Sequence, residues 1–179
     1  MNLHDLPPGF DDPVEALLGF HRRIERQLAA IGLLPTHLEI RGMDAEASAS
    51  AATLVAFFSG ALEIHHADED ALLPMLEART IEARERDGVR ELRHRLEVEH
   101  REMARTWKAL RRPIEGIAEG VQRRLPVDLV HYFRVLHATH ISIEEAGLHA
   151  LAARRLLPSD RAALGRGMVA RRTRRHRYR

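Results

Sequence analysis

Four stretches of this chain repeat apolar residues at alternating spacings of three and four, and each interrupts the row with a histidine in phase. That period sets one face of a helix against a core. The first stretch, from about Asp12 to Leu33, reads Val14, Leu17, His21, Ile24, Leu28 and Ile31; acids and Pro13 open it, and Gly32 with Pro35 are expected to stop it. The second, from about Asp44 to Arg79, reads Phe58, Leu62, His65, Glu69, Leu72 and Leu76. After a charged loop around Arg84 to Gly88, the third runs to Arg112 with Val89, Leu92, Leu96, His100, Met103, Trp107 and Leu110. Pro113, Gly116 and Gly120 mark a connection, and Pro126 with Asp128 opens the fourth, which runs to about Leu157. Its row is Leu129, Phe133, Leu136, His140, Glu144, Leu148 and Leu151. A shorter helix is expected over Ser159 to Arg172, with Ser159 as its N-cap.

No run alternates β-branched residues, and alanine, leucine, arginine and glutamate dominate, so the fold class is all-α. Short connections predict antiparallel neighbours, an up-down-up-down four-helix bundle with a short C-terminal helix and basic tail. On this reading residues 1–11 are an N-terminal extension, 12–157 the bundle and 158–179 the short helix and tail. A chain of 179 residues suffices for one domain with a full core. Apolar residues at 45% and charged residues at 30% exclude a disordered chain, and no long uncharged stretch predicts a transmembrane helix. Met1 to Asp12 carries acids and prolines where a secretory signal would be basic and then apolar, so a cytoplasmic protein is expected. There is no cysteine, which removes disulfides, thiolate nucleophiles and iron–sulfur ligands; redox chemistry would need a metal held by nitrogen and oxygen.

The polar residues of the four rows form two similar halves: His21 followed by His65 and Glu69, then His100 followed by His140 and Glu144. Residues four apart on a helix lie one above the other, so His-x-x-x-Glu offers an imidazole and a carboxylate to one small volume. A lone histidine on an apolar face is usually a hydrogen-bonded core residue. A glutamate there is harder to dismiss, since an unpaired buried carboxylate costs several kcal/mol. Packed about a pseudo-twofold axis, the halves would join four imidazoles and two carboxylates, a set suited to a pair of iron ions.

The order His, His-x-x-x-Glu, His, His-x-x-x-Glu resembles the hemerythrin-like HHE cation-binding domains, here written GFHRRIE, IHHADEDALLPML, EVEHREM and THISIEEAGLHAL. The resemblance covers roughly Pro13 to Arg172, including SDRAALGRGMVARR. It implies a four-helix bundle with a non-haem di-iron site, oxo-, hydroxo- or water-bridged. Its ligands would be His21, His65, Glu69, His100, His140 and Glu144, with the two glutamates bridging. Leu96 stands where the best-known oxygen carriers of this fold have a further histidine, which points away from reversible oxygen carriage.

His66 with Asp70 repeats the spacing one residue out of phase and Glu145 follows Glu144; the leucine rows favour His65 with Glu69 and Glu144. His137, three before His140, is a candidate extra ligand or a hydrogen-bonded neighbour of the ligands. His4, His37, His94, His131, His149 and His176 read as surface or loop residues. The tail from Arg171 to Arg179 has six arginines, but with a net charge of only +2 it is read as a solvated tail and not as a nucleic-acid contact. The leading expectation is a di-iron protein that binds or reacts with oxygen, nitric oxide or peroxide in sensing, iron handling or stress defence. The alternatives are a peroxide-consuming or iron-repair enzyme, for which neither Tyr132 nor Tyr178 is an evident proton donor, and a metal-free or zinc-bound interaction bundle. Oligomeric state leaves no mark in the sequence.

Overall fold

The Asp12 carboxylate accepts the backbone N–H groups of Val14 and Glu15 at 3.1 and 3.2 Å, which caps the first helix with Pro13 at its first position. The structure is a computed structural model and describes residues 9–176. His4, Tyr178, the start of the N-terminal extension and the end of the arginine tail lie outside the described residues, as does the side chain of His176.

The helices are α1 Pro13–Ile40, α2 Ala45–Ala56, α3 Leu62–Arg79, α4 Ala83–Ala118, α5 Val127–Ile143, α6 Ala150–Arg155 and α7 Pro158–His176. Wider π turns join α2 to α3 over Phe57–Ala61 and α5 to α6 over Glu144–His149. Among the described residues there is no strand, as an all-α chain requires.

Three sequence signals for helix ends are overruled by burial. The expected stop at Gly32 and Pro35 does not occur: α1 continues to Ile40, because Leu34 and Leu38 extend the buried row beyond the proline. Likewise Pro113 and Gly116 lie inside α4, where Ile114 and Ile117 are fully buried on the next turns. α4 ends instead at Gly120, whose φ of 77° is the left-handed conformation a side chain disfavours. Its N–H reaches the Ile117 carbonyl at 3.0 Å and that of Val121 reaches Gly116 at 2.9 Å, a glycine-terminated Schellman motif. The charged stretch Arg84 to Gly88, expected as a loop, belongs to the first turns of α4.

Ser159 is not the cap of α7. Leu157 precedes the helix, Pro158 begins it, and the Asp160 carboxylate reaches back to the Leu157 N–H at 3.0 Å, as in the second half of a capping box. The continuous stretch Ala45–Arg79 is also apolar and long enough to cross a membrane by length and composition alone, against the expectation of no such stretch. A globular core helix meets the same test, and Leu54, Phe58 and Leu62 are buried.

The described residues pack as two compact units. One comprises residues up to His21, Ile64–Leu96 and those from Ser142 onward. Leu17, Leu72, Leu76, Leu96, Leu148, Leu164 and Met168 fill its core. α7 is tied down there by Arg79, which grips Asp160 at 2.8 and 2.9 Å, and by Arg171 and Arg172, which clasp the fully buried Asp68. The other unit comprises Arg22–Glu63 and Glu97–Ile141. Its core stacks Phe58 against Trp107 and Phe133, with ring centres 5.1 and 5.0 Å apart, and the Trp107 indole donates to Ser59.

Candidate metal centre

In the first unit, α1 delivers His21, α3 delivers His65 and Glu69, and the wide turn after α5 begins at Glu144; all four are buried. One ligand atom from each lies within 4.8 Å of all the others. Trans ligands on one ion stand about 4.2 Å apart, given metal–nitrogen bonds of about 2.1 Å, so small side-chain shifts would close the set. Nε2 of His21 is 3.2 Å from Glu144 and 3.5 Å from Glu69, and Nε2 of His65 is 2.8 Å from Glu69.

The electrostatics follow from that crowding. Burial would push the His21 pKa down, but its hydrogen bonds to Glu144 and Glu69, with their charges, outweigh it and raise the value to about 10. Burial likewise pushes the Glu69 carboxyl up, yet His65, His21 and His66 hold it well below the usual carboxylate range. On the far side of His21, Nδ1–H donates to Glu145 at 3.1 Å, while Phe20 covers the His65 ring with its centre 4.4 Å away. Between the two glutamates, Glu144 is the buried one and Glu145 braces the imidazole from outside, its side chain 46% exposed. Between the two registers of α3, His65 with Glu69 is buried, and His66 with Asp70 is half-buried and exposed.

Both ring nitrogens of His65 are buried and neither is in a hydrogen bond, its approach to Glu69 lacking the necessary angle. An imidazole left so is costly unless something accepts its lone pair. A metal ion beside two carboxylates does that, so the residues present fit one.

In the second unit, α4 and α5 bring Nε2 of His100 to 3.1 Å from Nε2 of His140. That is close to the separation of about 3.0 Å for adjacent nitrogens on one ion. The Nδ1–H of His140 donates to Glu99 at 2.8 Å, the same carboxylate brace that Glu145 gives His21. His137 is buried against Phe133 and spends its Nδ1–H on the Phe133 carbonyl at 2.8 Å. His37, with Asp44 and Glu46, forms another group of ligand type, but Asp44 caps Ala47 and Arg41 takes Glu46, so it reads as a helix corner.

Sequence reasoning missed His149 and Glu99 here and weighed Glu145 only as an alternative to Glu144. His149, expected at the surface, is 3% exposed, with its ring stacked on that of His21 at 4.9 Å. Burial first, and then the charge of His21, lower its pKa to about 4. Glu99 and Glu145 lie outside the apolar rows, and only their positions next to His100 and Glu144 could have signalled a brace. His94 and His131 are exposed as expected.

The family described as hemerythrin HHE cation binding domain matches residues 12–152. A protein of Haemophilus influenzae, described as uncharacterized, is 24% identical over 137 residues, which is 76% of this chain and 76% of that protein. No solved structure matches the chain.

Proposed function

Because the chain belongs to the hemerythrin HHE cation-binding domain family, we propose that it is a non-haem di-iron protein that binds or reacts with dioxygen, nitric oxide or peroxide. His21, His65, Glu69 and Glu144 would hold iron in the first unit, and His100 and His140 would offer further imidazoles in the second. The observation that carries this reading is the buried cluster itself: one ligand atom each of His21, His65, Glu69 and Glu144 within 4.8 Å of the others, all four side chains out of water. Neutral imidazole nitrogen with hard carboxylate oxygen serves both the ferrous and the ferric state. Iron, when bound, would supply electron exchange with a small oxidant or radical.

The protein's own part is holding and shielding. Glu145 and Glu99 fix the Nδ1 protons of His21 and His140, which turns each Nε2 lone pair inward. Phe20, stacked on His65, keeps water from that face. Tyr132 is exposed and donates to Glu102 at 3.3 Å, so it is not a proton donor to the cluster.

Metal analysis with visible spectra before and after peroxide or nitric oxide tests the proposal. Two irons per chain with charge-transfer bands that change on exposure would support it. Zinc with a silent spectrum, or no metal, would overturn it.

A further inference from the structure

His149 is an imidazole in the wrong place for a structural residue. It is 3% exposed, and neither ring nitrogen is in a hydrogen bond. A buried polar group without a partner is destabilising, a penalty that leucine or phenylalanine in the same space would not carry. Its surroundings are the groups of the metal cluster: the ring lies over His21, and the charges of Glu69, Glu144 and His65 act on it.

The backbone explains how it comes to be there. In a regular helix, a residue five positions on is rotated by about 140° from the first. The chain from Glu144 to His149 is instead a π turn, with roughly 4.4 residues per turn, so the offset falls to about 50°. Glu144 and His149 therefore share one side of the turn. Gly147 lies between them, and a side chain there would press on Leu92 at 3.2 Å.

The ring spacings match coordination geometry. With a nitrogen bound at about 2.1 Å and the ring centre roughly 1.2 Å beyond it, two imidazoles on neighbouring positions of one ion have centres about 4.6–5.4 Å apart. His21 and His65 are 5.0 Å apart with rings at 85°, and His21 and His149 are 4.9 Å apart with rings at 27°, so the His149 ring must turn out of its stack on His21 for both lone pairs to meet one ion. We infer that His149 is a third imidazole ligand to the ion held by His21, His65, Glu69 and Glu144, an assignment that rests on the metal-binding reading given above.

Cobalt(II), titrated anaerobically into the metal-free full chain, tests this through its visible d–d band and through affinity measured by competition. His149→Leu should bind cobalt about tenfold or more weakly and with an altered band, because a nitrogen donor is lost. The metal-free His149→Leu protein should melt no lower than wild type, because an apolar side chain replaces an unpartnered polar one. In His149→Ala, added free imidazole should restore the wild-type band; this variant also decides the matter should His149→Leu not fold. Wild-type affinity and band in His149→Leu, or a His149→Ala band indifferent to imidazole, overturn the assignment of His149 alone. A wild type that takes up no cobalt overturns the metal site itself.

Discussion

His21 and Glu145 meet at 3.1 Å, Nδ1 against Oε1, while the opposite nitrogen of the same ring faces Glu144 at 3.2 Å. The imidazole is thus held between an exposed carboxylate and a buried one, and its ring direction is fixed before any ion arrives. Replacing Glu145 with Gln keeps the shape but weakens the brace. Metal affinity should fall about 10–100-fold while the denaturation midpoint of the metal-free protein stays near that of wild type, read by competition titration and urea unfolding. Unchanged affinity would show that the brace has no role in metal binding.

Glu69→Ala and Glu144→Ala should each remove most of the bound iron, whereas His66→Ala should remove much less, since His66 is only half-buried. Iron per chain by elemental analysis decides it. Wild-type iron content in both glutamate variants would sink the ligand assignment.

Protons should leave when metal enters. His21, raised to about 10 in the metal-free protein, must give up its Nε2 proton to bind an ion. Binding near pH 7.5 should therefore release about one proton from this group, and affinity should climb roughly tenfold per pH unit. Calorimetry in buffers of different ionisation enthalpy measures the release, and an absence of proton release would contradict a protonated His21.

The same histidines shape the stability of the metal-free protein. A raised pKa stabilises below the unfolded value of 6.5, and for His21 that gain is lost as pH climbs towards about 10. The lowered pKa of His149 acts in the other direction: its contribution is intact above 6.5 and is lost as pH falls towards about 4. Between them, stability should peak near pH 6.5, as urea midpoints across pH 4–10 would record. A midpoint that rises steadily across that range would be inconsistent with the raised pKa of His21.

Asp68 is fully buried and answered by two arginines of α7 that are about a quarter exposed. Replacing Arg171 and Arg172 together by Ala leaves a buried charge without its cations, which should cost on the order of 3 kcal/mol. Asp68→Asn should restore part of the loss in that background. Urea unfolding of the wild type and the two variants tests this, and a double variant as stable as wild type would refute it.

The apolar rows were legible in the sequence because burial on a helix repeats every 3.6 residues: Leu17, Ile31, Leu72, Leu76, Leu96 and Leu110 are all fully buried. Helix ends were less so, since Pro35 and Pro113 signal a stop locally while Leu38 and Ile117 supply burial further along. His149 was invisible because its register presumed a regular helix, and the widened turn that brings it inward has no simple sequence mark. Asp68 was passed over because its partners lie more than a hundred residues away, at a distance no local pattern spans.

The turn from Glu144 to His149 also bears on how such a site changes over time. A π turn is one residue more than the regular helix it interrupts. Deleting a single codon between Glu144 and His149 would straighten the helix and leave the histidine four residues after the glutamate, about 40° round from it and on the same side. The pair is therefore open to exchange between a five-residue spacing on a π turn and the four-residue spacing that His65 and Glu69 already use on α3.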